Sequence, residues 1–307
     1  MLCTPFLDNT NGIHLVLIIH LFKLLRPKHW VKNLFVFAPL VFAKELFDGN
    51  AVVLALRSFG AFCITASVVY IFNDIADREA DRGHPKKKSR PLAAGVVKSG
   101  HAFVLAGLLI VVAFALSNEL TWQFKAILLS YFLMNLAYSF KLKEVVLLDV
   151  LVIATGFMMR VLGGAYAIDV YVSTWLILCT LFLSLFLGFA KRRSEIVTYS
   201  SRGETSQRKV LSLYRIEYLD QMLTLAAAGA VISYALYTVA PRTVEIFGTE
   251  KMIYTTVFVV YGVLRYMYLI HMTDSTENPA GAVVSDPGIL INVVLWILSC
   301  VLLIYGG

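Results

Sequence analysis

The stretch Asn73-Asp74-Ile75-Ala76-Asp77-Arg78-Glu79-Ala80-Asp81 lies where a long apolar segment ends and the chain becomes strongly polar. If the helix that begins near Val52 continues to Asp81, then Asn73, Asp77 and Asp81 drift only about 40° per step and share one face. Clustered oxygens of this kind suit Mg²⁺, which completes its shell with water and substrate phosphates. The alternative is a solvated helix end. We predict Asn73, Asp77 and Asp81 as metal ligands, and Asp74, Asp77 and Asp81 as catalytic residues.

A basic stretch, His84-Pro85-Lys86-Lys87-Lys88-Ser89-Arg90-Pro91, follows the acids directly. Neighbouring carboxylates repel one another unless something cationic lies among them. Acids beside bases at the end of an apolar segment therefore favour a site for a metal-bound phosphate over a merely soluble loop. Lys86 and Arg90 are predicted to bind substrate.

The composition is that of a polytopic membrane protein. Of 307 residues, 59% are hydrophobic and only 15% are charged, and the mean hydropathy is +0.75. The apolar runs are long enough to span a bilayer, and nine are predicted to do so, near 33–47, 52–74, 102–117, 120–140, 145–168, 172–190, 222–240, 252–271 and 288–305. We predict an all-α integral membrane protein with one transmembrane domain over 33–307.

Residues 1–32 are predicted to form an N-terminal interfacial segment. The apolar run 13–25 is too short to span, and Arg26-Pro27-Lys28-His29-Trp30 follows it at once. No positive region precedes that run, so a cleaved signal is disfavoured. The scattered cysteines Cys3, Cys63, Cys179 and Cys300 have neither metal-binding nor disulfide spacing and are predicted to be packing residues.

The positive charge is unevenly distributed. Twenty of the 27 Lys and Arg residues fall in the segments 23–32, 75–100, 141–144 and 191–221, which share one side in a nine-helix topology. The positive-inside rule makes that side cytoplasmic. The net charge of +7 is accounted for by topology and anionic lipid, so the membrane is the expected partner and nucleic acid is not.

A second polar cluster, Gly188-Phe189-Ala190-Lys191-Arg192-Arg193-Ser194-Glu195, extends from the sixth apolar run. A stop-transfer cap would also be basic. Glu195 favours a functional role over a simple cap, since it lies one turn after Lys191 and can pair with it or complete a metal shell. Lys191, Arg192, Glu195 and Arg202 of the following loop are predicted to bind substrate.

Arg160 lies midway along the fifth apolar run, where an unpaired charge costs at least ~2.5 kcal/mol. Asp149 precedes it by three turns and about 20°, and Gly156 and Gly163 share that face. Packing against a neighbouring helix would also use such a face. The functional prediction is that Arg160 lines a polar chamber and is catalytic.

Other basic and aromatic residues near helix ends are predicted to contact the substrate, although the lysines among them could simply reach the membrane interface. Arg265 has three candidate partners in the loop that follows it, Asp274, Glu277 and Asp286. These predicted contacts are Lys28, Tyr138, Lys141 and Arg265.

Asn73-Asp74-x-x-Asp77-x-x-x-Asp81 on the second of nine helices resembles the first aspartate-rich motif of the UbiA-type intramembrane prenyltransferases. Leu25 to Asn33, Asp81 to Gly95 and Gly188 to Glu195 are similar to the decaprenyl-phosphate phosphoribosyltransferase branch of that family. The resemblance runs from about Leu24 to the C-terminus. It implies a helical bundle around a polar chamber open to the cytoplasm, in a bacterial inner membrane.

One departure from other members of the family bears on the substrate. Where those enzymes carry a second aspartate motif, this chain has Lys191-Arg192-Arg193-Ser194-Glu195. The resemblance therefore implies Mg²⁺-dependent transfer of 5-phosphoribosyl from 5-phosphoribosyl 1-diphosphate to a polyprenyl phosphate, for cell-wall arabinan precursors. An aromatic prenyltransferase of the same fold and a transporter of a phosphorylated metabolite remain alternatives. Whether the chain forms a homo-oligomer stays open.

Overall fold

The computed structural model describes residues 19–83, 87–201, 209–272 and 286–306. Within these ranges the regular secondary structure is helical, without strands. The long helices are α1 (Gly49–Ala76), α2 (Ser99–Ser117), α3 (Trp122–Phe140), α4 (Leu148–Ala167), α5 (Thr174–Ser201), α6 (Ile216–Val239), α7 (Thr256–Met272) and α8 (Pro287–Tyr305).

Local sequence explains where several helices begin. The side chain of Asp48 accepts hydrogen bonds from the backbone N–H groups of Asn50 and Ala51, which caps α1. Asp286 caps α8 in the same way, with Pro287 at the first helical position. Each cap satisfies N–H groups that the first helical turn leaves unpaired.

Seven helical segments are long and apolar enough to cross a membrane, and all seven coincide with predicted spans. They are Gly49–Ala76, Ser99–Ser117, Leu148–Ala167, Thr174–Ser200, Ile216–Val239, Lys251–Met272 and Pro287–Tyr305. The protein is therefore a multi-pass membrane protein, although nine spans are not confirmed. The predicted run 120–140 forms α3, which is not among the seven. The run 33–47 is divided between a 3-10 helix, Pro27–Phe37, and a short α-helix, Ala38–Phe42.

The helices bring the polar segments together at one end of the bundle. There, side chains from the loop after α1, the α3–α4 connection and the end of α5 contact one another, as in the ion pairs Arg90–Asp74, Lys143–Asp77 and Arg192–Asp149. At the other end Arg57 pairs with Glu119. We call the first the basic end and the second the opposite end.

The 3-10 segment Pro27–Phe37 packs against α1 and α4 and forms part of the wall at the basic end. Trp30 donates to Ser67 of α1 (3.1 Å), and Ser67 donates to the carbonyl of Leu25 (2.9 Å). The approach to α4 is so close that a Cβ on Gly164 would meet the carbonyl oxygen of Val36. Residues 27–32 thus contribute to the bundle, and the predicted domain boundary at residue 32 stays a prediction.

The predicted continuation of the helix to Asp81 is wrong at one residue. The α1 helix ends at Ala76, Asp77 adopts φ −87° and ψ 3°, and a short helix, Arg78–Arg82, follows. The one-turn spacing survives this interruption, because Asp77 N donates to Asn73 O (2.9 Å) and Asp81 N donates to Asp77 O (2.8 Å). Asn73, Asp77 and Asp81 therefore still follow one another at single-turn intervals.

Candidate active site

The two buried carboxylates of the acidic motif share an arginine. Arg90 donates from one nitrogen, Nη1, to Asp74 (3.0 Å) and to Asp81 (2.6 Å). Asp74 also accepts from Arg26 (2.5 Å), and Lys87 lies 3.7 Å from Asp81. Buried carboxylates require such partners. Arg90 consequently fixes the loop after α1 across the acidic motif.

Asp77 is the accessible acid of the motif. About a third of its side chain is exposed, and its ion pair with Lys143 spans 3.6 Å, longer than the contacts that arginines make with Asp74 and Asp81. Asn73 is one turn earlier and partly buried. Asn73 and Asp77 are thus the partly exposed residues among the three predicted metal ligands.

These residues fit one mode of Mg²⁺ binding. Within the described residues no group of three or more His, Cys, Asp or Glu side chains is arranged to hold a metal ion. Mg²⁺ does not require such a cage, since it is commonly held by one or two carboxylates together with water and substrate phosphates. Asp77, Asp81 and the carboxamide of Asn73 match that donor set.

Arg192 is buried among acceptors. Its Nε donates to Asp149 (2.6 Å), its Nη1 to Glu195 (2.8 Å) and its Nη2 to the Tyr138 hydroxyl (3.5 Å), while only 1% of the residue is exposed. The Tyr214 hydroxyl donates to the other oxygen of Asp149 (2.7 Å). Arg192 thus ties α5 to α4, and its predicted role in phosphate binding stays a prediction.

Burial, followed by the hydrogen bond to Asp149, raises the pKa of Tyr214 well above the usual range of a tyrosine. Tyr214 therefore remains protonated at neutral pH and acts as a donor to Asp149. Its hydroxyl also accepts from the backbone N–H of Leu147 (2.8 Å). These contacts attach the segment before α6 to the start of α4.

Arg160 lies deep in the bundle, and its hydrogen bonds go to neutral groups. Its side chain donates to Asn33 Oδ1 (2.6 Å), Gly156 O (2.7 Å) and the Tyr131 hydroxyl (2.8 Å). Asp149 and Arg160 share a face, yet 11 residues separate them by about 16 Å along the helix axis. A shared face therefore does not make them partners.

Several basic side chains around His29 and Lys32 lie close enough to shift one another's pKa. Burial and the positive charges of Lys32, Arg26, Lys191 and Arg90 lower the pKa of His29 to about 4. Burial, Lys191 and Arg160 lower the pKa of Lys32 to about 8. More than a third of the surface of Lys32 is nevertheless open to solvent, so it lies in a recess that the protein surrounds and water reaches.

Other predicted contacts are dispersed. Lys28, Lys141 and Lys191 are exposed at the basic end. Arg265 pairs instead with Asp286, the cap of α8 (2.9 Å), and joins α7 to α8. The pKa of Asp286 is lowered by this contact. Two predicted residues, Lys86 and Arg202, lie outside the described residues.

Several residues of the site were not among those predicted to bind or react. Lys143 and Tyr131 each contact a predicted site residue that is distant in the chain. Lys143 carried a signal in its position beside Lys141 at the end of an apolar run. Tyr131 carried none, because a tyrosine in an apolar helix is indistinguishable from a packing residue until its neighbours are known.

The model of the UbiA prenyltransferase family matches residues 34–282, which include the acidic motif, α4 and the Lys191–Glu195 cluster. The chain belongs to the UbiA prenyltransferase family. Its members are transferases, and the family assignment agrees with a multi-pass membrane bundle.

Relatives within the UbiA family are more specific. The chain is 33% identical over 289 residues to the decaprenyl-phosphate phosphoribosyltransferase of Corynebacterium glutamicum, covering 92% of this chain and 86% of that protein. It is 38% identical over 221 residues to the protein of the same name from Mycolicibacterium smegmatis, covering 71% and 69%. Both of these family members resemble this chain over most of its length.

A solved UbiA homologue shares the fold. The structure of a UbiA homologue from Archaeoglobus fulgidus bound to GPP and Mg²⁺ superposes with a TM-score of 0.70 at 18% identity, covering 93% of this chain and 99% of that one. At this identity the likeness establishes the helical arrangement alone.

Proposed function

We propose that this UbiA-family protein transfers the 5-phosphoribosyl group of 5-phosphoribosyl 1-diphosphate to a polyprenyl phosphate and releases diphosphate. The observation that carries the proposal is the resemblance, over 92% of the chain, to a decaprenyl-phosphate phosphoribosyltransferase. The basic end of the bundle supports it, because its basic residues suit a substrate with several phosphates.

The chemistry requires little proton transfer. A phosphate oxygen of the lipid attacks the anomeric carbon, the bond from that carbon to the diphosphate oxygen breaks, and the diphosphate leaves with the electron pair. A phosphate monoester has a second pKa of about 6, so the attacking oxygen is already ionised near pH 7. No general base is needed. The protein contributes positioning and electrostatic stabilisation.

Named residues suit these two contributions. Arg90 can exchange part of its contact with Asp74 and Asp81 for phosphate oxygens, because a guanidinium presents five N–H donors. Lys191 is exposed beside His29 and Lys32 and can contact the same substrate. Arg192 holds α5 against α4 and so keeps Lys191 in place.

Asn73, Asp77 and Asp81 are the residues that would hold Mg²⁺, as their donor chemistry and spacing suggest. When bound, Mg²⁺ neutralises the charge that develops on the leaving diphosphate. The A. fulgidus homologue bound to GPP and Mg²⁺ is consistent with metal dependence in this fold. The ion pair of Asp77 with Lys143 is long and partly exposed, which leaves this carboxylate available.

We place the protein in a bacterial inner membrane with the basic end in the cytoplasm, as its Lys and Arg distribution favours. In that orientation the water-soluble donor reaches the site from the cytoplasm while the lipid chain stays in the bilayer. The product would serve as a cell-wall arabinan precursor. A homo-oligomer and a single domain over 33–307 remain parts of the proposal.

Mass spectrometry of the lipid products tests this proposal. Purified protein is incubated with Mg²⁺, 5-phosphoribosyl 1-diphosphate and a polyprenyl phosphate, and the lipids are extracted. The expected product is a polyprenyl-phosphoryl ribose 5-phosphate, formed with an equal amount of diphosphate. If the protein instead forms a product from a prenyl diphosphate and an aromatic acid, it is an aromatic prenyltransferase. If it forms neither product, the transporter alternative is favoured.

A further inference from the structure

Arg160 is a buried cation without a carboxylate partner among the described residues. Its three hydrogen-bond acceptors, Asn33, Gly156 and Tyr131, are all neutral. The guanidinium also faces the rings of Tyr131 (4.8 Å) and Phe157 (5.2 Å). Dipoles and aromatic rings stabilise a cation but do not neutralise it. The positive charge at this depth therefore stays uncompensated.

The other arginines in contact with the site have acids beside them. Arg192 contacts Asp149 and Glu195, and Arg90 contacts Asp74 and Asp81. The contrast shows that the fold supplies carboxylates where an arginine serves to join helices. Around Arg160 the described residues supply only neutral acceptors, so its positive charge remains available to attract an external anion.

Lys32 lies near Arg160 and is the accessible member of this pair. The charged groups that act on it are both cations, Lys191 and Arg160. Its side chain is open to solvent, whereas Arg160 is only 7% exposed. Neighbouring residues link the two, since Asn33, which follows Lys32 in the chain, accepts the hydrogen bond from Arg160 Nε.

We propose that Lys32 and Arg160, with Asn33 and Tyr131, form a subsite for a phosphate monoester, separate from the acidic motif that would hold the Mg²⁺-diphosphate. The subsite deepens the proposed function and rests on it, because that reaction brings two phosphate monoesters to one protein. One is the phosphate of the polyprenyl lipid and the other is the 5-phosphate of the sugar.

The donor set suits a monoester better than a metal-bound diphosphate. Within the described residues these three acceptors account for three of the five N–H groups of Arg160, and the remaining N–H groups can donate to phosphate oxygens. Lys32 adds a mobile point charge. No carboxylate in the described residues contacts either side chain, so the pair offers no metal ligand and recognises the anion directly.

Calorimetric titration of the purified protein in detergent tests the subsite without turnover. The ligands are geranyl phosphate as a short lipid monoester, ribose 5-phosphate as the sugar monoester, and inorganic diphosphate with Mg²⁺. The variant is Lys32→Met, because Lys32 is exposed and its replacement does not threaten the fold. Lys125→Met is the matched control, since Lys125 is also exposed but lies at the opposite end.

The wild type is expected to bind at least one monoester, and Lys32→Met to weaken that binding at least tenfold while changing the affinity for Mg²⁺-diphosphate less than threefold. Loss confined to geranyl phosphate assigns the subsite to the lipid, and loss confined to ribose 5-phosphate assigns it to the sugar. Lys125→Met should match the wild type. Arg160→Lys, which keeps the charge but not the planar guanidinium with its several N–H donors, should weaken the binding of the same ligand.

The subsite is overturned if the wild type binds neither monoester. It is also overturned if Lys32→Met leaves the binding of both within threefold, or weakens Mg²⁺-diphosphate equally. A turnover assay on the same preparations separates this from the wider proposal. Selective loss of monoester binding in a protein without phosphoribosyl transfer would retain the subsite and reject the function.

Discussion

At the scale of single residues, burial divides neighbouring basic side chains into different roles. Lys191 and Arg192 are adjacent, yet Lys191 is exposed and Arg192 is 1% exposed. A buried guanidinium with acidic partners is part of the framework, because removing it leaves those acids unpaired. Lys191 is exposed and lies beside other cations, so a phosphate can reach it.

Arg192→Met should therefore lower the free energy of unfolding more than a substitution that breaks one exposed ion pair. Removing one partner of a buried pair costs about 3–5 kcal/mol, whereas an exposed pair contributes about 0–1 kcal/mol. Arg57→Met, which breaks the more exposed pair with Glu119, is the matched control. Thermal unfolding in detergent measures both. Equal melting temperatures for the two variants would contradict the structural role of Arg192.

Lys32 should make the binding of its anion depend on pH. Its pKa is about 8 because burial and the charges of Lys191 and Arg160 disfavour the protonated form. A bound anion favours that form and raises the pKa. Affinity should thus be constant below pH 8 and fall as the pH rises above it, by as much as tenfold per unit.

The expected fall in affinity can be checked by titration from pH 7 to 9.5, with whichever monoester the wild type binds. The ligand is already ionised in this range, and His29, with a pKa of about 4, stays neutral. Lys32→Arg remains protonated throughout and should lose the alkaline decrease. Parallel profiles for the wild type and Lys32→Arg would remove Lys32 from the subsite.

At the scale of elements, the turn at Asp77 and the close approach to α4 position the site. The first keeps Asn73, Asp77 and Asp81 at one-turn spacing through two backbone hydrogen bonds. The second brings the 3-10 segment against α4, so that Asn33 reaches Arg160 at 2.6 Å. Both depend on backbone geometry more than on the side chains that they orient.

Gly164→Ala should destabilise the protein, because the new Cβ would collide with the carbonyl oxygen of Val36. Overpacking of this kind typically costs about 1–3 kcal/mol. It should also separate Asn33 from Arg160 and weaken monoester binding. Gly107→Ala on α2, where a Cβ meets nothing within 4 Å, is the control in thermal unfolding. An unchanged melting temperature in Gly164→Ala would show that the segment can move aside.

Removal of the metal by a chelator, together with substitution of the acids, should distinguish residues that hold Mg²⁺ from residues that stabilise the fold. EDTA should abolish turnover and added Mg²⁺ should restore it. Asp77→Ala should weaken Mg²⁺-diphosphate binding without much loss of stability, because Asp77 is partly exposed and its contact with Lys143 is long. Asp81→Ala should also lower the melting temperature, since it leaves Arg90 and Lys87 with fewer acidic partners. Full activity of both variants in EDTA would reject the metal assignment.

Periodicity and hydropathy predicted what depends on local sequence. Seven apolar runs became helices able to span a membrane, and the one-turn spacing of Asn73, Asp77 and Asp81 survived a helix break. Pairing could not be predicted in the same way. Arg192 and Asp149 lie 43 residues apart, and Arg160 and Asn33 lie 127 apart, and no local pattern specifies which distant helix faces which.

At the scale of the whole molecule, the two ends of the bundle differ in kind. The basic end combines buried acids, exposed lysines and the cation pair Lys32 and Arg160, whereas contacts at the opposite end join helices, as Arg57 and Glu119 do. This asymmetry suits an enzyme that takes a soluble, highly charged donor from one side and a lipid from the bilayer.

The central claim is that the transferred group is phosphoribosyl. A single reaction with two labelled donors tests it most directly: ¹⁴C-ribose in 5-phosphoribosyl 1-diphosphate and ³H in a prenyl diphosphate, supplied with polyprenyl phosphate, an aromatic acid and Mg²⁺. The account predicts that ¹⁴C enters the polyprenyl phosphate and that ³H does not enter the aromatic acid. Transfer of ³H to the aromatic acid, without ¹⁴C in the lipid, would contradict it.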